Sequence, residues 1–294
     1  MRGLFLALIL LSLDAAAQDG DLPPLPPLND PPSDLQIPGK FVWSDLFTSD
    51  MEANERFYGA LFGWEWRWIT RPKGRYGIFS IGGYDVAGMV HRQAPAGEDQ
   101  YGRWVHYVSV ADVGAVEASI VDRGGESLLP GRQADRRGQF AIVSDPQGAI
   151  LGVIRSSSGD PEDFRAEHGE FVWYQLFTHD VDPAAEFYQA LFGYDIVRRA
   201  QSPDVVDYVL QSGDYARAGI GELKKRPDAH PTWLGYIRVE DVSSTVERAQ
   251  ALGGKVLLAP SPANLDGDLA IVADPTGTPI GLLRWDYTDE EETR

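Results

Sequence analysis

The feature that most constrains the fold of this chain is a long internal duplication. Residues 41–63, FVWSDLFTSDMEANERFYGALFG, return at 171–193 as FVWYQLFTHDVDPAAEFYQALFG, and 13 of these 23 positions are identical. Two later segments repeat at nearly the same spacing: WVHYVSVADV at 104–113 returns at 233–242, and FAIVSDPQGAILGVIR at 140–155 returns at 269–284. A period of about 130 residues is that of a whole domain rather than of a solenoid repeat. The chain is therefore expected to fold as two similar domains.

Each copy is predicted to contain two βαβββ units. In the first unit, an aromatic-rich strand precedes a helix that Asp50 caps and Gly63 ends, and three short strands follow between glycine turns. The same order returns from residue 103, with a helix over 113–123 and a DPxG turn before the last strand. The predicted fold class is α+β, with two tandem domains that are each built from two such units.

This arrangement resembles the vicinal oxygen chelate superfamily, which includes glyoxalase I, extradiol dioxygenases, fosfomycin-resistance enzymes and bleomycin-binding proteins. The resemblance rests on the strand–Asp–FYxxxFG opening and the DPxG turn, and it covers residues 41–157 and 169–286. Within the superfamily, the chain looks most like tandem glyoxalase-like proteins. The resemblance implies that the two units of each domain curl their sheet into a cup that holds the ligand.

The N-terminus is typical of an export signal, because a positive start and a short apolar run precede Ala15–Ala17. We expect cleavage after Ala17 and a periplasmic or extracellular location. The following LPPLPPLNDPPSDLQIP is typical of an extended spacer. The predicted divisions are a signal peptide at 1–17, a Pro-rich tether at 18–38, domains at 39–157 and 169–287, a linker at 158–168 and an acidic tail at 288–294.

Charge and composition restrict the partners. A net charge of −18 argues against binding of nucleic acid or of an anionic membrane surface. The absence of cysteine excludes disulfides, thiolate metal sites and a cysteine nucleophile. The expected partner is a small molecule, with no nucleic acid, no membrane beyond the export signal, and two domains that pack on each other.

The positions that match metal ligands of the superfamily carry side chains that do not bind divalent cations. These positions are Trp43, Val105 and Gly152 in the first copy and Trp173, Leu234 and Gly281 in the second. A fourth position falls on apolar residues or on His91 and Glu222. The five histidines, His91, His106, His168, His179 and His230, show no metal spacing. We therefore predict cups without metal or other cofactor, with a divalent metal as the alternative.

Strand alternation predicts which side chains line the cups. With Trp43 facing inward, Phe41 and Phe171 are expected on the same face. The predicted ligand-binding residues are Trp43, Asp45, Phe47, Tyr107, Trp173, Gln175, Phe177, Tyr236 and Arg238. Asp45 is the candidate catalytic residue, because a carboxylate buried among aromatic rings has a raised pKa and can act as an acid or base. Gln175 holds the matching position and cannot do so.

Three functions are compatible with the sequence. The favoured one is binding of a small aromatic or amphipathic molecule in a metal-free cup, by stacking and apolar burial on Trp43 and Trp173. The alternative is an isomerase, lyase or ring-cleaving dioxygenase, either metal-free through Asp45 or metal-dependent through other ligands. In the third, the aromatic surfaces, including Trp64, Trp66 and Trp68, serve domain pairing or a partner protein.

Overall fold

The computed structural model describes residues 25–70, 75–134, 136–202, 205–223 and 229–287. The predicted signal peptide, its cleavage site after Ala17 and the acidic tail lie outside these residues. Among the helices of the described part, none has the length and apolar character needed to cross a membrane.

The first domain contains two βαβββ units in succession. Its elements are β1 (Phe41–Thr48), α1 (Met51–Phe62), β2 (Glu65–Thr70), β3 (Arg75–Ile81), β4 (Tyr84–His91), β5 (Gly102–Ser109), α2 (Val113–Asp122), β6 (Glu126–Ala134), β7 (Gly138–Ser144) and β8 (Ile150–Ser156). Local chemistry sets the limits of α1: the Asp50 carboxylate accepts from the Ala53 amide at 2.9 Å, and Gly63 ends the helix at a φ of 76°.

The second domain repeats this order. Its elements are β9 (Phe171–Thr178), α3 (Val181–Phe192), β10 (Asp195–Ser202), β11 (Val205–Ser212), β12 (Tyr215–Glu222), β13 (Thr232–Arg238), α4 (Val242–Ala251), β14 (Lys255–Leu258), β15 (Leu269–Ala273) and β16 (Pro279–Leu283). A short 3₁₀ turn at Leu265–Gly267 precedes β15.

Each domain forms one eight-stranded mixed sheet, which confirms the predicted α+β class. The strand order is β2-β3-β4-β1-β5-β8-β7-β6 in the first domain and β10-β11-β12-β9-β13-β16-β15-β14 in the second. The opening strands of the two units pair antiparallel at the centre, β1 with β5 and β9 with β13. The duplicated aromatic strands therefore occupy the middle of each sheet.

The helices lie on the faces by which the two domains contact each other. One core cluster joins α1 with α4 and with β15 and β16, and another joins α2 with α3, β8 and β12. Each cluster contains residues of both domains, so the domains share their apolar cores. The opposite, helix-free face of each sheet is called a cup below: the first cup belongs to the first domain and the second cup to the second.

The two motifs of the duplication meet across this domain interface. The Tyr58 hydroxyl of FYxxxFG donates to Asp274 Oδ2 at 2.9 Å, and the Tyr188 hydroxyl donates to Asp145 Oδ2 at 2.9 Å. Asp145 and Asp274 are the carboxylates of the two DPxG turns, and burial raises the pKa of both. Each motif of one copy therefore has its hydrogen-bond partner in the other copy.

The described part of the Pro-rich tether, residues 25–37, is called the strap here. It lies against the first domain and the linker, and it is held by backbone and side-chain hydrogen bonds. Ser33 N donates to Ser158 O at 2.8 Å, Asp160 N donates to Leu35 O at 2.9 Å, and Ile37 N donates to the buried Asp160 carboxylate at 2.6 Å. This part of the tether is thus packed against the domain rather than spaced from it.

Candidate functional site

The first cup is lined by apolar side chains and is covered by the strap. All eight residues of β1 are buried. Strap residues Leu25 and Leu28 pack against the cluster that contains Trp43, Val105 and Tyr107. The cup-facing side chains of this domain are therefore removed from solvent by another part of the same chain.

A polar cluster lies inside the first cup, centred on Asp45. Its Oδ1 accepts from Trp43 Nε1 at 2.8 Å and from the Tyr76 hydroxyl at 3.0 Å. The Arg137 guanidinium lies 4.1 Å from the centroid of the Trp43 ring. Burial raises the pKa of Asp45, and the charge of Arg137 and these hydrogen bonds oppose the rise. The predicted catalytic carboxylate is thus buried, hydrogen-bonded and near a cation.

The second cup has the same central strand in a more open setting. In β9 only Leu176 and Thr178 are buried, whereas the other six residues are partly exposed. Trp173 Nε1 donates to Gln175 Oε1 at 3.0 Å, which repeats the bond from Trp43 to Asp45. The Trp285 ring lies nearly parallel to that of Trp173, with 6.5 Å between centroids. These side chains present aromatic faces and an amide at the surface.

Asp207 on β11 brings a carboxylate to the second cup. A side chain at Gly221 would lie 3.0 Å from Gln175 Nε2 and 3.2 Å from Asp207 Oδ1, so both groups border the space above this glycine. By strand register, Asp207 takes the position that Tyr76 has in the first cup. Asp207 could not be predicted from the sequence because the two copies have diverged in this strand, and only the register of β11 places it opposite β12.

Tyr107 and Tyr236 are buried and fill matching positions of the two cups. A side chain at Gly152 would collide with the Tyr107 ring at 2.1 Å, and one at Gly281 would collide with the Tyr236 ring at 2.2 Å. The two tyrosine rings therefore occupy the space next to positions where metal-using members carry a ligand. Burial raises the pKa of both phenols.

Phe47 and Phe177 lie in the cups, but Phe41 and Phe171 do not. The prediction that these two phenylalanines face inward is wrong, because a register shift between residues 41 and 43 of β1, and the matching shift between residues 171 and 173 of β9, reverses the alternation. Phe41 instead stacks on Tyr174 at a centroid distance of 4.2 Å in the domain interface. Phe171 also lies in the domain interface, where its ring contacts that of Trp104 of the first domain edge to face, with 5.7 Å between centroids.

Arg238 lies at the end of β13, where it binds backbone carbonyls. Its Nε donates to Trp285 O at 2.8 Å, and its Nη1 donates to Ala166 O at 2.9 Å. The guanidinium also lies 4.8 Å from the centroid of the Tyr287 ring. Arg238 therefore holds the linker and the C-terminal segment beside the second cup.

The remaining candidate aromatic and histidine residues have varied locations. Trp64 is buried in the domain interface and donates to Gly169 O at 2.7 Å, while Trp66 and Trp68 pack edge to face on the outer strand β2. His106 is buried against Tyr174, its Nδ1 lies 2.8 Å from Ser44 Oγ, and burial lowers its pKa to about 3. His106 is thus neutral and belongs to the interface.

The cup-facing residues do not fit a divalent metal. Trp43, Val105 and Gly152 converge in the first cup, and Trp173, Leu234 and Gly281 converge in the second, so neither set offers oxygen or nitrogen ligands. Across the described ranges, no three His, Asp or Glu side chains are grouped as a metal site would need. His91 and Glu222 are exposed and follow cup-facing residues, so strand alternation turns them away from the cups.

Comparison with known proteins agrees with this architecture. The model of the Glyoxalase/Bleomycin resistance protein/Dioxygenase superfamily matches residues 40–153 and 170–282. The chain therefore belongs to this superfamily, with one family domain in each half, as its sequence predicts.

Two relatives align over most of their length. "Putative glyoxylase CFP32" of Mycobacterium tuberculosis is 30% identical over 244 residues, which cover 82% of this chain and 93% of the relative. "Anthracycline biosynthesis protein DnrV" of Streptomyces peucetius is 31% identical over 258 residues, which cover 84% and 93% of the two chains.

Solved structures share the fold at low sequence identity. The Mn(II)-bound glyoxalase from Novosphingobium aromaticivorans superposes with a TM-score of 0.57 at 15% identity, covering 85% of this chain and 83% of its own. The 2,3-dioxygenase LapB from Pseudomonas sp. KL28 gives 0.57 at 13% identity, covering 86% and 94%. The glyoxalase neighbour is described as Mn(II)-bound, whereas the positions that match metal ligands of the superfamily carry Trp, Val or Leu, and Gly in this chain.

Proposed function

We propose that this protein binds a small, flat organic molecule in the second cup. The observation that carries the proposal is the difference in exposure between two copies of one strand: β1 is wholly buried, whereas Trp173, Gln175 and Phe177 of β9 are partly exposed. Ligand sites in proteins are mostly apolar surfaces with a few placed polar groups. The second cup has that composition, with aromatic faces beside an amide and a carboxylate.

The polar groups suggest the ligand's chemistry. The Gln175 amide and the Asp207 carboxylate border the space above Gly221. A carboxylate accepts hydrogen bonds, so a hydroxyl or amine on the ligand would suit this position. Stacking on Trp173 or Trp285 would supply the apolar part of the binding energy. A phenol or hydroxylated polycyclic aromatic compound combines these properties.

The names of relatives support an aromatic ligand class. DnrV is named for anthracycline biosynthesis, and anthracyclines contain fused aromatic rings with hydroxyl groups. This supports the chemistry proposed for the second cup without fixing the identity of the ligand. We also propose that the protein acts outside the cytoplasm, on the basis of the N-terminal export signal.

Calorimetric titration with 2-naphthol tests the proposal. We expect measurable binding to the wild-type protein and at least a tenfold loss in W173A, because truncation removes the stacking face. W68A is the matched control, since Trp68 is an exposed tryptophan on β2 of the other domain. Equal loss in both variants, or equal binding by W173A and wild type, would contradict the proposal. In D207N we expect weaker binding of 2-naphthol with little change for 2-methoxynaphthalene, which has no hydroxyl donor.

A second candidate function is proton transfer to or from a ligand in the same cup. It is favoured by Asp207, which places a carboxylate in the more open cup, whereas Asp45 is covered by the strap. If a bound compound is converted, D207N should abolish turnover even at ligand concentrations that saturate its weakened site. Turnover that survives in D207N would exclude this role for Asp207.

A further inference from the structure

We infer that the first cup is a second binding site, for neutral carbonyl compounds, and that the strap occupies it in the intact chain. The inference is independent of the function proposed for the second cup. It rests on Arg137, on the backbone carbonyl that it binds, and on how the strap is attached.

Arg137 is a buried cation with unused hydrogen-bonding capacity. Its side chain is 3% exposed, and it lies over the Trp43 ring next to Asp45. Its Nε donates to Pro26 O of the strap at 2.8 Å, while its buried Nη2 has no hydrogen-bond partner. A buried donor without a partner costs about 1–3 kcal/mol, so an acceptor placed here would be bound favourably. The guanidinium is therefore set to bind an oxygen that enters the cup beside Trp43.

The present occupant indicates which acceptor fits. The strap supplies one carbonyl oxygen to Arg137 and two leucine side chains, Leu25 and Leu28, to the apolar wall. The charge of Arg137 is already opposed by Asp45, so an anionic ligand would bring a second negative charge beside that carboxylate. A neutral ketone, ester or amide with an apolar body matches the occupant better. The chemical class is thus a carbonyl compound with an aromatic or aliphatic group.

The attachment of the strap is compatible with its release. Residues 25–28, which lie over the cup, are only partly buried, and the hydrogen bonds that hold the strap outside the cup join residues 29–37 to Ser158, Gly159 and Asp160. Prolines within the strap restrict its free conformations and so lower the entropy cost of its binding in cis. A ligand must compete with this intramolecular occupant, and its apparent affinity falls by the fraction of molecules with an open cup.

In the part of the chain that the structure describes, the second cup lacks both a counterpart of Arg137 and a counterpart of the strap. The repeat aligns Arg137 with Asp266, which lies in the 3₁₀ turn before β15, and among the described residues the second cup has Trp285 of the C-terminal segment against it rather than an N-terminal strap. The Arg137 site and its occupant are therefore specific to the first domain, although the duplication produced both cups.

NMR of the full chain with ¹⁵N-labelled tryptophan tests the inference, because Trp43 Nε1–H lies in the first cup and Trp173 Nε1–H lies in the second. The Trp43 resonance is assigned with W43F. We expect millimolar acetophenone to leave this resonance unmoved in the wild type. In L25D/L28D, where charged side chains disfavour the seated strap, acetophenone should shift it with at least tenfold higher apparent affinity. That shift should be lost in L25D/L28D/R137M. In L25D/L28D, the apparent affinity for ethylbenzene, which lacks the carbonyl, should be at least tenfold lower than that for acetophenone.

The outcomes separate the parts of the inference. The strap is released when the Ser33 amide of the folded variant has lost its protection from hydrogen exchange. If acetophenone then leaves the Trp43 resonance of that variant unmoved, the proposed binding site is wrong. An equal response in wild type and L25D/L28D would overturn the role of the strap. If L25D/L28D does not fold, N29A serves instead, because it removes bonds to Ser158 O and Gly159 O outside the cup. In N29A we expect an apparent affinity for acetophenone that is higher than in the wild type but with less than the gain expected for L25D/L28D. An affinity equal to that of the wild type would overturn the inference.

Discussion

The two cups of this protein derive from one duplicated unit and differ in what covers them. The first holds Asp45 with Arg137, Tyr76 and Trp43 beneath the strap, and all of β1 is buried. The second keeps the tryptophan-to-acceptor bond but has Gln175 in place of Asp45, and most of β9 is partly exposed. At this matched position, the cup that excludes water has a carboxylate paired with hydrogen-bond donors and a cation, whereas the partly exposed cup has a neutral amide.

The largest expected effect comes from removing the acceptor at the centre of each cup. D45A removes the charge that opposes Arg137 and the acceptor that Trp43 Nε1 and the Tyr76 hydroxyl share, so we expect the free energy of unfolding to fall by about 3–5 kcal/mol. Q175A removes the acceptor of Trp173 Nε1, which is in a partly exposed position that water can reach. We therefore expect the free energy of unfolding to fall by about 1 kcal/mol or less. Urea denaturation measures both. Losses of equal size would refute the proposed difference between the cups.

A smaller effect is expected at the two tyrosine–aspartate bonds across the domain interface. In Y188F, Asp145 Oδ2 loses its side-chain donor, whereas in Y58F, Asp274 Oδ2 keeps Asn54 Nδ2 at 2.6 Å. The second copy has Ala184 where the first has Asn54. We therefore expect Y188F to cost about 2–3 kcal/mol and Y58F about 1 kcal/mol. Thermal unfolding at one protein concentration ranks the two, and the reverse order would show that Asn54 does not support Asp274.

A third expected effect is a pH dependence from His106, whose matching position in the second copy holds Gly235. His106 has a folded-state pKa of about 3 against 6.5 in the unfolded chain, so protons bind preferentially to the unfolded state. The contribution of His106 to the free energy of unfolding is fully present above pH 6.5. It is lost as the pH falls from 6.5 toward 3, by up to about 1.4 kcal/mol per pH unit. The side chains around it, Ser44, Trp104, Phe171 and Tyr174, do not titrate in this range.

The control for this prediction is H106F, which keeps a ring at the position and removes the titration. The free energy of unfolding of wild type minus that of H106F should fall as the pH is lowered from 6.5 to 5. Buried carboxylates such as Asp45 contribute equally to both proteins. A difference that stays constant over this interval would show that His106 is not held neutral. The second copy has Gly235 at the matching position and supplies no such effect.

Much of the fold followed from the sequence because the duplication exposed the period, the FYxxxFG helices and the DPxG turns. The pairing of Tyr58 with Asp274 did not follow, because a hydrogen bond across 216 residues is fixed by domain packing and leaves no local pattern. The inward orientation of Phe41 was predicted wrongly, because a one-residue register shift reverses strand alternation.

The candidate site was only partly predictable for related reasons. Trp43, Asp45, Trp173 and Gln175 lie on the most strongly duplicated strand, so their positions in the cups could be inferred. Asp207 lies on a diverged strand, where only sheet register brings it near Gln175. The composition of the strap predicts an extended spacer, because proline disfavours helix and sheet. Nothing in that composition indicates that Leu25 and Leu28 pack against the first cup.

We expect an external aromatic ligand to enter the second cup while the strap occupies the first. Fluorine NMR of the full chain labelled with 5-fluorotryptophan, titrated with 2-naphthol, tests it most directly, with each signal assigned by substitution to phenylalanine. We expect saturable shifts of the Trp173 and Trp285 signals and an unmoved Trp43 signal. A shift of Trp43 with Trp173 and Trp285 unmoved would contradict it.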